Sequence, residues 1–145
     1  MIVLLVGLLT IYMAGAILPL CFPGKARIQN LVAHGFAAGA GCVGIVLGLT
    51  GMLATAPLTL ALESNIPHLT FALRLDPLAA FFVLTISLVG LAASIYAFGY
   101  VGEFSGRVSV GLLGSLLNGF LLSMTLVVLP EHVFIAWASV LDVDV

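Results

Sequence analysis

Charged side chains are nearly missing from this sequence. Only 7% of its 145 residues are Asp, Glu, Lys or Arg, against about a quarter in an average soluble domain. So little charge cannot cover a water-facing surface, which excludes a soluble globular domain and a disordered tail. Four basic and six acidic residues give a formal net charge of -2, and neither sign is concentrated enough to attract nucleic acid or an acidic partner. Cysteine is scarce too. Cys21 and Cys42 are the only two, too few for a disulfide scaffold or for the four ligands of an iron–sulfur cluster. Metal-ligand clusters, nucleophile elbows and glycine-rich phosphate loops do not occur, so no catalytic, cofactor-binding or metal-binding residue is assigned and no cofactor is expected. Apolar side chain is what abounds: 63% of the residues are hydrophobic and the mean hydropathy is +1.34. An integral membrane protein remains.

A spanning helix needs about 20 apolar residues to cross a hydrocarbon core roughly 30 Å thick. Four stretches qualify, and they predict helices over about 2–22, 31–56, 77–101 and 108–129. A further apolar run, 133–141, is followed by Asp142 and Asp144. As a helix it would cover only about 13 Å, so it is a stub that cannot span alone. The expected fold is therefore all-α, a polytopic transmembrane helix bundle of four spanning helices plus a short fifth stub. The first helix is not read as a signal peptide. Lys25 and Arg27 follow its apolar run where a signal would carry charge ahead of it, and Leu18-Pro19-Leu20 before Cys21 lacks the small residues of a cleavage or lipidation site.

Loop charge sets the expected orientation. The loop after the first helix holds Lys25 and Arg27 without an acid, and the loop after the third holds Arg107 beside Glu103. Only Arg74 lies between the second and third helices, with Glu63 and Asp76, and Glu131 alone follows the fourth. The positive-inside rule then puts the first and third loops in the cytoplasm and the N-terminus outside.

The second helix is rich in glycine. Gly35 with Gly39, and Gly44 with Gly48, have the four-residue spacing that lets helix backbones approach closely in lipid, which predicts a packing seam at Gly39 and Gly44. In the fourth helix Gly111, Ser115, Asn118, Leu122 and Thr125 fall on one face. Asn118 near mid-span would leave an amide unpaired in lipid, so that face should turn toward protein or water. Ser87, Gly90 and Ser94 form a weaker version in the third helix, where each hydroxyl can bond a carbonyl one turn back. His34 is the one ionisable side chain well inside a span, about one turn in from the Lys25/Arg27 side. Two readings stand for it: a proton relay, or an interfacial histidine with its ring among the headgroups, which its position favours. Cys21 and Cys42 read as free thiols in packed positions.

The most specific text is Leu73-Arg74-Leu75-Asp76-Pro77-Leu78-Ala79-Ala80-Phe81-Phe82, followed by Ser94-Ile95-Tyr96-Ala97-Phe98-Gly99-Tyr100-Val101-Gly102-Glu103-Phe104. Together these resemble the antiporter-like proton-translocating membrane subunits shared by respiratory complex I, Mrp-type cation/proton antiporters and group 4 hydrogenases. Within that family the stretch from about Phe71 to Phe134 looks most like the N-terminal part of the hydrogenase-4 component B branch, also called formate hydrogenlyase subunit 3. On the residues alone, Asp76 has a complete reading as a helix N-cap with Pro77 at the first helical position.

The resemblance implies an extended segment leading into the third helix and an outside N-terminus. It also implies ion translocation coupled to electron transfer in partner subunits of a hydrogenase or NADH dehydrogenase-like complex, in a bacterial or archaeal cell inner membrane. It would place a glutamate after a tryptophan in a fifth helix. Here Trp137 is followed by Ala138, and counting from the start of that helix leads to Leu141 or Asp142. Asp142 beside Asp144 reads more simply as a solvated tail. Residues 1–145 are thus expected to be the N-terminal part of an antiporter-like membrane domain, a truncated, frameshifted or split product that conducts no ions and catalyses nothing alone. The alternative is a free-standing small membrane protein with a structural or assembly role in a larger membrane complex. A small homo-oligomeric transporter would need ionisable residues at mid-span, which the chain almost lacks.

Overall fold

A computed structural model describes residues 1–54, 58–62, 71–100 and 109–129, with side chains given for all but 58–62 and 71–73. The expected stub at 133–141, with Trp137, Ala138 and Asp142, lies outside the described residues. The elements run α1 (Ile2–Ile17), a 3₁₀ turn (Leu18–Cys21), α2 (Ala26–Met52), β1 (Leu58–Leu62), β2 (Phe71–Leu75), α3 (Pro77–Tyr100) and α4 (Val110–Val128). Four helical segments, Ile2–Cys21 and the three longer helices, have the length and apolarity to cross a membrane, so the chain is an all-α, multi-pass membrane protein.

Each boundary has a local cause. Pro19 cannot donate to the carbonyl of Gly15 and its ring crowds that group, so α1 stops at Ile17 and the chain tightens into the 3₁₀ turn rather than running helical to Phe22. Gly24 then takes φ +80°, a left-handed turn that glycine adopts without penalty, and reverses the chain. α2 starts at Ala26, upstream of the expected Leu31, and stops at Met52 rather than Ala56. Its polar first turns are accommodated because Asn30 donates to Phe98 of α3 and Gln29 packs against Gly111 of α4. Asp76 caps α3: its carboxylate accepts from the Ala79 amide at 2.7 Å, with Pro77 in the first helical position. Ser109 caps α4 through the Leu112 amide at 3.4 Å.

α2 is the central helix, touching α1, α3 and α4. Its contact with α3 is antiparallel, as residues 41 to 51 of α2 meet residues 91 back to 80 of α3. The seam consists of Gly41, Gly44, Gly48 and Gly51, spaced three, four and three apart on one face. A methyl group at Gly48 would sit 2.7 Å from Leu84 Cβ and 2.9 Å from the Ala80 carbonyl oxygen, and one at Gly44 would collide with the Ser87 hydroxyl. Of the expected glycine pairs, Gly44/Gly48 packs and Gly35/Gly39 does not, since nothing lies within 4 Å of either outer glycine. Helical period explains the difference: Gly39 is two residues from Gly41, a rotation of about 200° that carries it to the opposite side.

β1 and β2 form an antiparallel hairpin with Thr59 opposite Arg74 and Leu60 opposite Leu73. The β2 segment is the extended lead into α3 that the resemblance implied; β1 has no counterpart in the expectation. Arg74 points its backbone N–H away from the hairpin to the Leu129 carbonyl at 2.7 Å, which ties β2 to the end of α4. Leu75 packs on Gly51, so the hairpin closes the bundle end remote from Lys25 and Arg27. Beneath it, Leu5, Leu8, Leu47, Val83 and Leu121 form a dry core. Large apolar side chains such as Val3, Leu53, Leu78 and Val127 point outward, as lipid permits and water would not.

Candidate functional site

Near the Lys25/Arg27 end the interior changes character. Gln29 stands one turn below Ala33 and Asn30 one turn below His34 on adjoining buried faces of α2, because four-residue steps return to the same side of a helix. Facing them on α4 are Gly111, Gly114 and Asn118. Small residues bring the backbones together. A methyl group at Gly111 would lie 2.7 Å from the Gln29 amide nitrogen, and one at Gly114 would overlap the Ala33 side chain.

Asn118 bridges the gap. Its Nδ2 donates to the Ala33 carbonyl of α2 and to the Gly114 carbonyl of α4, both at 2.9 Å. Gly15 of α1 lies directly against its Oδ1. Asn30 reaches the third neighbour: its Nδ2 donates at 3.4 Å to the carbonyl of Phe98, in the last turn of α3, where carbonyls have no intrahelical partner. The Phe98 ring meets His34 edge-on at 6.0 Å between centroids.

His34 is 1% exposed. Its ring lies among helices rather than in the headgroup layer, which corrects the interfacial expectation; its Nε2 is 3.9 Å from where a Gly114 methyl would be. Neither ring nitrogen has a hydrogen-bond partner among the described residues, nor do Asn30 Oδ1, Ser115 Oγ and Asn118 Oδ1. An unsatisfied buried polar group costs about 1–3 kcal/mol, so such a concentration at one junction is unlike ordinary packing. Deeper in, the Tyr12 hydroxyl is fully buried beside Ser87 without reaching hydrogen-bond geometry. Ser94 and Thr125 are satisfied locally, donating to the carbonyls of Gly90 at 2.7 Å and Leu121 at 2.8 Å.

The expected inward face of α4 is buried at Gly111, Ser115, Asn118 and Thr125 and half-buried at Leu122. Cys21 and Cys42 are free thiols, but both are exposed rather than packed, because each falls on the outward side of its segment. Among the described residues no three His, Cys, Asp or Glu side chains come together. Gln29, Asn30 and Tyr12 were not singled out from the sequence. The first two could have been, since Asn30 stands four residues before His34 and only the early start of α2 places both on one face.

Residues 62–107 match the family model for NADH-Ubiquinone oxidoreductase (complex I), chain 5 N-terminus. The match covers about a third of the chain, from the end of β1 through α3 and on to residue 107. Over that segment the chain is similar to the N-terminal part of an antiporter-type membrane subunit. No curated protein matches the chain.

Proposed function

We propose that the chain is the N-terminal segment of a proton-translocating membrane subunit of a hydrogenase-4-like or NADH:quinone oxidoreductase-like complex. It sits in a bacterial or archaeal inner membrane with its N-terminus outside, packed against other membrane subunits. The match over residues 62–107 carries this reading, and the Leu73–Phe82 text favours the hydrogenase-4 branch. Residues 1–145 form part of the antiporter-like domain and do not conduct ions by themselves. Crossing a bilayer takes a succession of ionisable or hydrated groups at membrane depth. Among the described residues the charged side chains are Lys25, Arg27, Arg74 and Asp76, all before a helix or in its first turn. Asp76 acts as a helix cap, with no part in ion transfer.

Affinity purification of the tagged chain from its native membrane in mild detergent tests the reading. Other membrane subunits of a hydrogenase or NADH dehydrogenase-like complex should co-purify. Recovery of the chain alone, from membranes in which such a complex is intact, would instead favour a free-standing small membrane protein.

A further inference from the structure

We propose that His34 is a proton-binding site reached by water from the Lys25/Arg27 end of the bundle. The inference stands on the packing of the described helices and does not depend on the family reading. Asn30 Oδ1 and both ring nitrogens of His34 are buried atoms lacking a protein partner among the described residues, one helical turn apart on α2, where Phe98 of α3 meets both side chains. A neutral imidazole presents one N–H and one lone pair, and an imidazolium presents two N–H groups. The Asn30 amide oxygen can accept from either form through water, and a buried water is held by two to four polar partners.

Among the described residues the approach is one-sided. Gln29 and Asn30 sit between His34 and the exposed Lys25 and Arg27, each 9% exposed, and Gln29 is only about 8 Å of helix rise from His34. Toward the other end Leu5, Leu8, Leu47 and Val83 are fully buried, and the described residues form no polar route past Tyr12 and Ser87. No charged group among the described residues faces the ring. α3 contributes Phe98, α4 contributes Gly114, and the buried titratable group of α1 is the Tyr12 phenol. A proton reaching His34 therefore arrives from, and returns to, one side. The site binds protons without passing them across.

The test uses the full 145-residue chain in phosphatidylethanolamine/phosphatidylglycerol nanodiscs, with ¹⁵N-labelled histidine. His34→Gln assigns the ring signals against those of His68 and His132, and size-exclusion chromatography with circular dichroism checks that the variant remains folded. The His34 ring is expected to take up a proton as the pH is lowered and to show magnetisation transfer from water. Gln29→Leu, which places an apolar side chain at the mouth, is expected to slow water exchange at the ring at least about tenfold, as a lost polar route requires. A ring that stays neutral at the lowest pH at which the protein remains folded, or has no water contact, overturns the proposal. Unchanged exchange in Gln29→Leu overturns the access route.

Discussion

Asn118 of α4 and Ala33 of α2, 85 residues apart, are joined by a hydrogen bond in which the side-chain amide donates to a backbone carbonyl at 2.9 Å. That carbonyl lies in the body of α2 and Asn118 is fully buried, so the bond fixes the height at which the two helices meet. Asn118→Ala should destabilise the bundle by about 1 kcal/mol, within the range of interhelical hydrogen bonds in membranes. Thermal unfolding in detergent reads the change. Stability equal to the parent would show that the bond adds nothing to α2–α4 association.

The glycine seam makes a paired prediction. Gly48→Leu drives a side chain into Leu84 and the Ala80 carbonyl, and should cost at least about 1–3 kcal/mol, as overpacking does. Gly39→Leu meets open space and should stay within about 0.5 kcal/mol of the parent, as exposed substitutions do. Equal losses from the two variants would mean that α2 is rotated from the orientation described.

Asp76 separates capping from charge. Asp76→Asn keeps an acceptor for the Ala79 amide and should be nearly neutral, whereas Asp76→Ala should cost about 1 kcal/mol. Hydrogen exchange at the Ala79 amide should quicken in the alanine variant only. If asparagine proved as damaging as alanine, the negative charge itself would be the requirement.

Topology is testable with a cysteine at Lys25. Cys21 and Cys42 are both exposed and must first be replaced by serine to remove background labelling. A membrane-impermeant maleimide should then modify Lys25→Cys only after the cells are permeabilised, placing that loop in the cytoplasm. Modification in intact cells would invert the orientation.

The 145-residue chain, reconstituted in vesicles with a pH-sensitive dye and an imposed potential, should pass no more protons than empty vesicles. A flux lost in His34→Ala would identify a conducting path where a one-sided site is described.

Much of this protein is decided within single segments. The four spans follow from apolar runs long enough to cross lipid, the cap at Asp76 from an acid placed before a proline, and the burial of Asn118 from the cost of an amide in hydrocarbon. Each depends on a residue and its near neighbours, so each could be read in order along the chain. Which glycines pack was not decided there. Gly39 and Gly44 look alike in sequence, and only the partner helix distinguishes them by presenting Ser87 and Leu84 to one face of α2. His34 is the same case. One turn inside a span it suits the headgroup layer, until α3 brings Phe98 and α4 brings Gly114 and Asn118 around it. Hydropathy reports how far a segment lies from water, whereas the rotation of a helix about its axis depends on its neighbours, so the polar junction exists only once α2, α3 and α4 have met.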